Sequence, residues 1–273
     1  FGTSATSAAR SSGARSSLRS LSLTLPLGLL GGHWRPPRLD PRLGGLIVGG
    51  ARAIADAGPP ALPEVVAATF DQAVARERAT HVAVSPLDAA AARPPRSVAD
   101  LADRVDGIGA RGGNAAVELV TGYDGARRAI VYLRGTTRWD IGSEDPTDLD
   151  GNIAALAGAS TAYGRGVVDA MRDAGIDPRT PVLLVGHSQG GMVAANLARE
   201  LTESGEFAIT DVLTFGAPFA QLDHPVPPDV QLIAVENRSD VVPALDGRRN
   251  SRGAGTVTVT VDDGIASKEL VLD

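Results

Sequence analysis

The chain contains no cysteine, and Lys268 is its only lysine. The first absence excludes disulfides, thiolate metal sites and a cysteine nucleophile, and the second confines lysine-dependent chemistry to one residue near the C-terminal end. Absence of cysteine fits either redox environment, so composition assigns no compartment. Aromatic residues make up 4% of 273 positions, too few for an extended platform on which sugars or bases would stack. The four histidines, His33, His81, His187 and His224, show no ligand spacing, so no metal and no cofactor are expected. Excess basic charge is also missing: the net charge of −6 argues against a nucleic-acid surface. What is present, 43% hydrophobic residues over this length, suits one large globular α/β domain, alone or with an appendage.

Residues 1 to 20 are rich in Ser, Ala, Gly and Arg, and residues 1–44 read as a poorly ordered lead-in to a domain spanning 45–273. Leu21 to Gly32 is an apolar run preceded by Arg10, Arg15 and Arg19, with the length and flank of a signal h-region but no small-residue cleavage signature after it. It is too short to span a bilayer as a helix. A targeting segment and an apolar lead-in packing on the domain both stay open. The chain begins with Phe1 rather than Met, which predicts a fragment or a processed form.

Apolar spacing predicts helices over Gly45 to Ala57 and Leu62 to Ala79, punctuated by Pro59, Pro60 and Pro63. Ser97 opens a further helix with Asp100 in capping-box position. Residues 115 to 121 and 127 to 133 are strand-like, and Gly122 to Ala126 between them form a hairpin connection. The pattern then alternates: a helix near 152 to 174, strand 181 to 185, helix 190 to 203, then strands 211 to 215, 230 to 236 and 256 to 261. This predicts a mostly parallel central sheet with an antiparallel entrance hairpin and helices on both faces.

Within this pattern Gly186-His187-Ser188-Gln189-Gly190 joins a buried strand to a helix. A serine presented as a nucleophile sits on a sharp, strained strand-to-helix turn, where a β-carbon on either flanking glycine would collide with backbone. The first free N–H groups of the following helix point at the spot where an oxyanion forms. The motif is short and common, so its context carries it. Val193, Leu197 and Leu201 recur at helical spacing after it, and Gly190, Ala194 and Ala198 form a small stripe suited to close packing on a sheet.

Serine needs a base, an acid to orient that base, and donors for the oxyanion. The N–H of Gln189 is one donor, and Thr136, in the Gly-Thr turn after strand 127 to 133, offers the second through its backbone N–H and its hydroxyl. Asp240 lies just past the strand ending near Glu236, on the sheet edge where catalytic groups gather, and is the expected acid, with Glu236 the lesser candidate.

With these segments in hand, the chain resembles an α/β-hydrolase of the class 3 lipase type: YLRGTT, GHSQGG, LTFGAPF and NRSDVVPAL match its oxyanion loop, elbow, next strand and acid loop over roughly residues 115 to 250. The resemblance implies an α/β-hydrolase fold and a serine hydrolase cleaving carboxylic esters of acyl or lipid type, with Ser188 as nucleophile, Asp240 as triad acid, and Thr136 and Gln189 as oxyanion donors. It implies a small-molecule ester or lipid substrate and transient contact with a lipid surface. Residues 137 to 152 fall where such enzymes place a lid or substrate-facing loop, with Trp139 and Ile141 able to meet an acyl chain; an exposed acidic loop is the alternative. The departure concerns the base. The family brings its histidine after the acid loop, yet none follows Asp240 here. His187 precedes the nucleophile and faces the wrong way in that family, and His224 sits in a Pro-flanked loop, so the base is expected beyond Asp273, with His224 the lesser candidate. Two other readings stay open: a non-catalytic α/β-hydrolase scaffold that binds a ligand or partner, and an acyltransferase or thioesterase using the same serine.

Overall fold

The computed structural model describes residues 81–85, 93–140, 142–218, 226–238, 240, 242–244 and 255–262. The expected helices over 45–57 and 62–79, the apolar run 21–32, Ile141, His33 and His224 lie outside them. The first helix among the described residues, α1 (Val98–Ala110), starts where the capping box places it: the Ser97 hydroxyl accepts the Asp100 N–H at 3.1 Å, and the Asp100 carboxylate accepts the Ser97 N–H at 3.0 Å. Its buried face is Ala102, Val105 and Ile108.

Strands β1 (Ala115–Thr121) and β2 (Arg127–Leu133) form the antiparallel hairpin, in register from Ala115 opposite Leu133 to Thr121 opposite Arg127. Then follow α2 (Leu149–Leu156), α3 (Ala162–Asp173), β3 (Pro181–His187), α4 (Gln189–Ser204), β4 (Ala208–Phe215), β5 (Gln231–Asn237) and β6 (Thr256–Val261). The six strands lie in sequential order and every pairing after the hairpin is parallel. Right-handed crossovers advancing in one direction place their helices on one face. Accordingly α3 and α4 share one core with Val131, Leu133, Val182 and Leu184. On the opposite face α1 packs with Ile130, Tyr132, Val185, Leu213 and Phe215. Successive residues of β3 therefore serve different cores, which is why it reads as a continuous apolar run.

The mostly parallel sheet, its antiparallel entrance and its helices on both faces are the α/β architecture expected from the sequence. Under α1 lies a buried polar knot: Glu118 accepts the Tyr132 hydroxyl at 2.6 Å and pairs with Arg104, which also reaches the Tyr132 oxygen at 3.1 Å. No helix among the described residues is long and apolar enough to cross a membrane.

Two expectations are corrected. The single helix near 152 to 174 is two helices, separately capped by the Asp148 and Thr161 side chains and parted by Gly158, whose φ of 73° ends α2. The 137–152 segment is not an exposed acidic loop. Thr147, Asp148 and Asp150 are buried in it, and much of their hydrogen bonding is with the loop's own groups. Asp148 accepts the Ser143 and Gly151 N–H groups, Asp150 accepts that of Gly142, and Asp145 takes the Thr137 and Thr147 hydroxyls, each at 2.7 Å. Buried carboxylates need such partners, and the Asn114 side-chain amide, donating to Asp145 at 3.2 Å, ties the segment to the start of β1.

Candidate active site

Strand β3 ends at His187 and α4 begins at Gln189, so Ser188 is the whole connection between them. Its φ of 50° and ψ of −120° are those of the first central residue of a type II′ turn, a place glycine normally takes. Among the described residues it is the only non-glycine with positive φ. Ser188 N–H donates to the Phe215 carbonyl at 2.9 Å, pinning the turn to the end of β4, and the Ser188 carbonyl accepts from Gly191 and Met192 to start the helix. Its side chain makes no capping bond. Backbone strain of this kind persists only where the surroundings over-determine it, and clusters at functional sites.

The flanking glycines show what does the determining. A β-carbon on Gly186 would strike the Gly190 carbonyl and stand 2.5 Å from the Gly191 nitrogen. One on Gly190 would lie 2.6 Å from the Arg134 carbonyl oxygen and 2.7 Å from the Leu133 carbonyl carbon. The start of α4 thus rests directly on the main chain at the end of β2. That contact brings the Gly135–Thr136 loop to the elbow: a β-carbon on Gly135 would lie 3.1 Å from the Ser188 Cβ.

The expected oxyanion donors are Gln189, next in the chain after Ser188, and Thr136, next after Gly135. Among the described residues neither backbone N–H is paired with an acceptor. The Thr136 Oγ1 accepts the Asn152 side-chain amide at 2.5 Å, so Asn152, from α2, fixes the rotamer of Thr136 while leaving the hydroxyl proton to donate. Gln189 is fully buried, with its amide donating to the Pro146 carbonyl at 3.3 Å, which ties the first turn of α4 to the 137–152 segment. Neither support was legible in the sequence; both partners lie in the loop expected to be a lid, and only the tertiary pairing reveals them.

Asp240 arrives from the other side. Its Oδ2 lies 2.7 Å from where Gly216 would carry a β-carbon, and its Oδ1 accepts the Val242 N–H at 2.9 Å. Gly216 follows Phe215, the residue that pins Ser188, and takes a φ of 56° there. Burial raises the Asp240 carboxyl above its ordinary value, against the lowering effects of the Val242 N–H and of His187. Glu236 is half-buried within β5, one step back from the edge.

His187 is a third titratable group at this edge. Its side chain is exposed at the end of β3. Crowding holds its imidazole below the ordinary histidine range, opposed by the Asp240 and Asp106 carboxylates. His81 is exposed ahead of β1. Among the described residues no cluster of His, Cys, Asp or Glu could hold a metal ion.

No protein-family model matches this chain, and no curated protein does. Among solved structures it is similar to a fungal lipase in complex with an inhibitor, at 18% identity and a TM-score of 0.30, over 50% of this chain and 62% of that one. The match thus reaches less than two thirds of the fungal lipase's length. It is also similar to an esterase of the bacterial hormone-sensitive lipase family, at 16% identity and a TM-score of 0.27, over 72% of this chain and 88% of that one. An esterase/lipase from an uncultured bacterium shows 11% identity and a TM-score of 0.28, over 80% and 88% of the two chains.

Proposed function

We propose that this protein is a serine hydrolase of the class 3 lipase type that cleaves carboxylic esters of acyl or lipid alcohols through an acyl-enzyme on Ser188. The carrying observation is the backbone of Ser188, φ 50° and ψ −120°, a strained conformation at a position whose hydroxyl makes no capping bond to the helix it opens. In the proposed reaction Ser188 Oγ attacks the ester carbonyl carbon as its proton passes to an imidazole base. The Thr136 and Gln189 N–H groups hold the resulting oxyanion, and the Asp240 carboxylate orients the base. Collapse of the tetrahedral intermediate breaks the bond to the alkoxide, which takes the proton from the imidazolium and leaves as the alcohol. Water then attacks the acyl-enzyme by the same route and frees the acid. The base is proposed to lie beyond Asp273, with His224 the lesser candidate.

The test is labelling of the protein at its full natural length with a fluorophosphonate probe, alongside hydrolysis of p-nitrophenyl esters of graded chain length. Labelling of wild type that disappears in Ser188→Ala, with turnover lost in parallel, is the expected result. A folded wild-type protein that takes up no probe and turns over no ester would leave a non-catalytic scaffold as the better reading.

A further inference from the structure

His187 ends β3 one residue before the nucleophile, and the other parts of the site converge on it. Its Nδ1 lies 2.8 Å from the point where Gly135 would carry a β-carbon, a point only 3.1 Å from the Ser188 Cβ, so ring and elbow share one face of the oxyanion loop. In the sheet His187 is the register partner of Phe215, and the next residue, Gly216, has the Asp240 carboxylate against it. Strand alternation turns the imidazole, like Val185, toward the side covered by α1 rather than α4. The charged groups that act on it there are Asp240, from the loop after β5, and Asp106, from α1. Among the described residues its ring nitrogens have no hydrogen-bond partner.

The geometry points to His187 as a positioning residue that braces the Gly135–Thr136 loop against the Asp240 loop, and so sets where the oxyanion donor and the triad acid stand relative to Ser188. The inference rests on the acyl-transfer reading for its purpose, since only that chemistry requires the two loops at a fixed spacing. A neutral imidazole suits such a place: it is flat, fills the space a glycine leaves, and presents one donor and one acceptor. Burial lowers the imidazole below its ordinary range and raises the Asp240 carboxyl, and the charge of each acts on the other, so each reports on the other's proton.

Two measurements on the full-length protein test this. The first follows the imidazole proton resonance of His187, assigned by its loss in His187→Asn, as a function of pH. In wild type the signal should move in two linked steps; in Asp240→Asn it should move in one, with its midpoint displaced to lower pH because an attracting carboxylate is gone. A His187 curve unaltered by Asp240→Asn overturns the proposal whether or not the protein is an enzyme. The second measures ester turnover. Misplacing a reacting group by about 1 Å costs roughly 10²-fold in rate, so His187→Ala should lower kcat on that order, leave KM nearly unchanged and shift the acid limb of kcat/KM. His187→Asn, planar and polar, should restore part of kcat. Unchanged kcat and acid limb in a folded His187→Ala protein overturn the bracing role while Ser188 labelling leaves the hydrolase reading intact. Absence of labelling in wild type removes the hydrolase reading, and the two-step titration then decides the His187–Asp240 linkage by itself.

Discussion

Replacing Ser188 by glycine and by alanine separates the two things this residue does. Both changes remove the nucleophilic oxygen, and neither breaks a side-chain hydrogen bond, since Ser188 makes no capping contact. They differ in the backbone. At φ 50° and ψ −120° alanine retains the steric conflict that serine bears, whereas glycine is free of it. Strain in such regions costs about 1–3 kcal/mol, and glycine loses roughly 0.5–1 kcal/mol through the greater freedom of its unfolded chain. The balance favours Ser188→Gly over Ser188→Ala by about 0.5–2 kcal/mol, which for a domain of this size is roughly 2–6 °C in Tm. The assay is paired urea and thermal unfolding of the two variants followed by circular dichroism, with Ser188→Ala near wild type. Ser188→Gly at or below Ser188→Ala would refute the claim that the elbow stores strain, and would remove the main physical support for Ser188 as nucleophile.

Other outcomes follow from the same geometry. Gly190→Ala sets a β-carbon 2.6 Å from the Arg134 carbonyl oxygen, against main chain that cannot swing aside, and should cost several kcal/mol or abolish folding. Gly112→Ala, with nothing within 4 Å, should cost only about 1 kcal/mol for its φ of 72°, as a urea midpoint comparison will show. Glu118→Gln strips the partner from Arg104 in the knot beneath α1 and should destabilise by about 3–5 kcal/mol, less if the Tyr132 bond is kept by the amide. Asp240 has a folded-state pKa raised above its unfolded value, so the folded protein binds the proton more tightly and loses stability as pH rises through that interval. Asp240→Asn should therefore be more stable than wild type at pH 7, with the gain vanishing below the ordinary carboxylate range of about 3.9, while ester turnover falls.

Much of this fold was legible in the sequence because its signals are local. The Ser97 capping box, the two hairpin strands and the Thr256–Val261 strand lie where pattern reading puts them, since each is fixed by residues within a few positions of one another. The elbow was legible for a related reason: its glycines are demanded by contacts a short motif already implies. The break after α2 was not, because Gly158 and Thr161 interrupt an apolar pattern whose period continues across them. Nor was the 137–152 segment, where charge suggested exposure and the answer lay in pairings between loop carboxylates and loop N–H groups. Asn152 escaped notice for the same cause, since it acts on Thr136, distant in sequence. His187 reads in the sequence only as a base facing the wrong way, and its nearness to Gly135 comes from the assembled sheet.

The sequential strand order carries a consequence for how the protein comes into being. Each strand after the first adds beside the one just made, so the sheet can grow outward as the chain leaves the ribosome, without waiting for a late segment to slot between earlier ones. The serine turn is clasped by β2 and β4, and is complete once residue 215 has emerged. Asp240, the proposed acid, arrives one strand further out. A nascent chain would thus hold the finished Ser188 turn before it holds the Asp240 loop, so under the proposed hydrolase reading the order of synthesis delays the chemistry until most of the sheet is built.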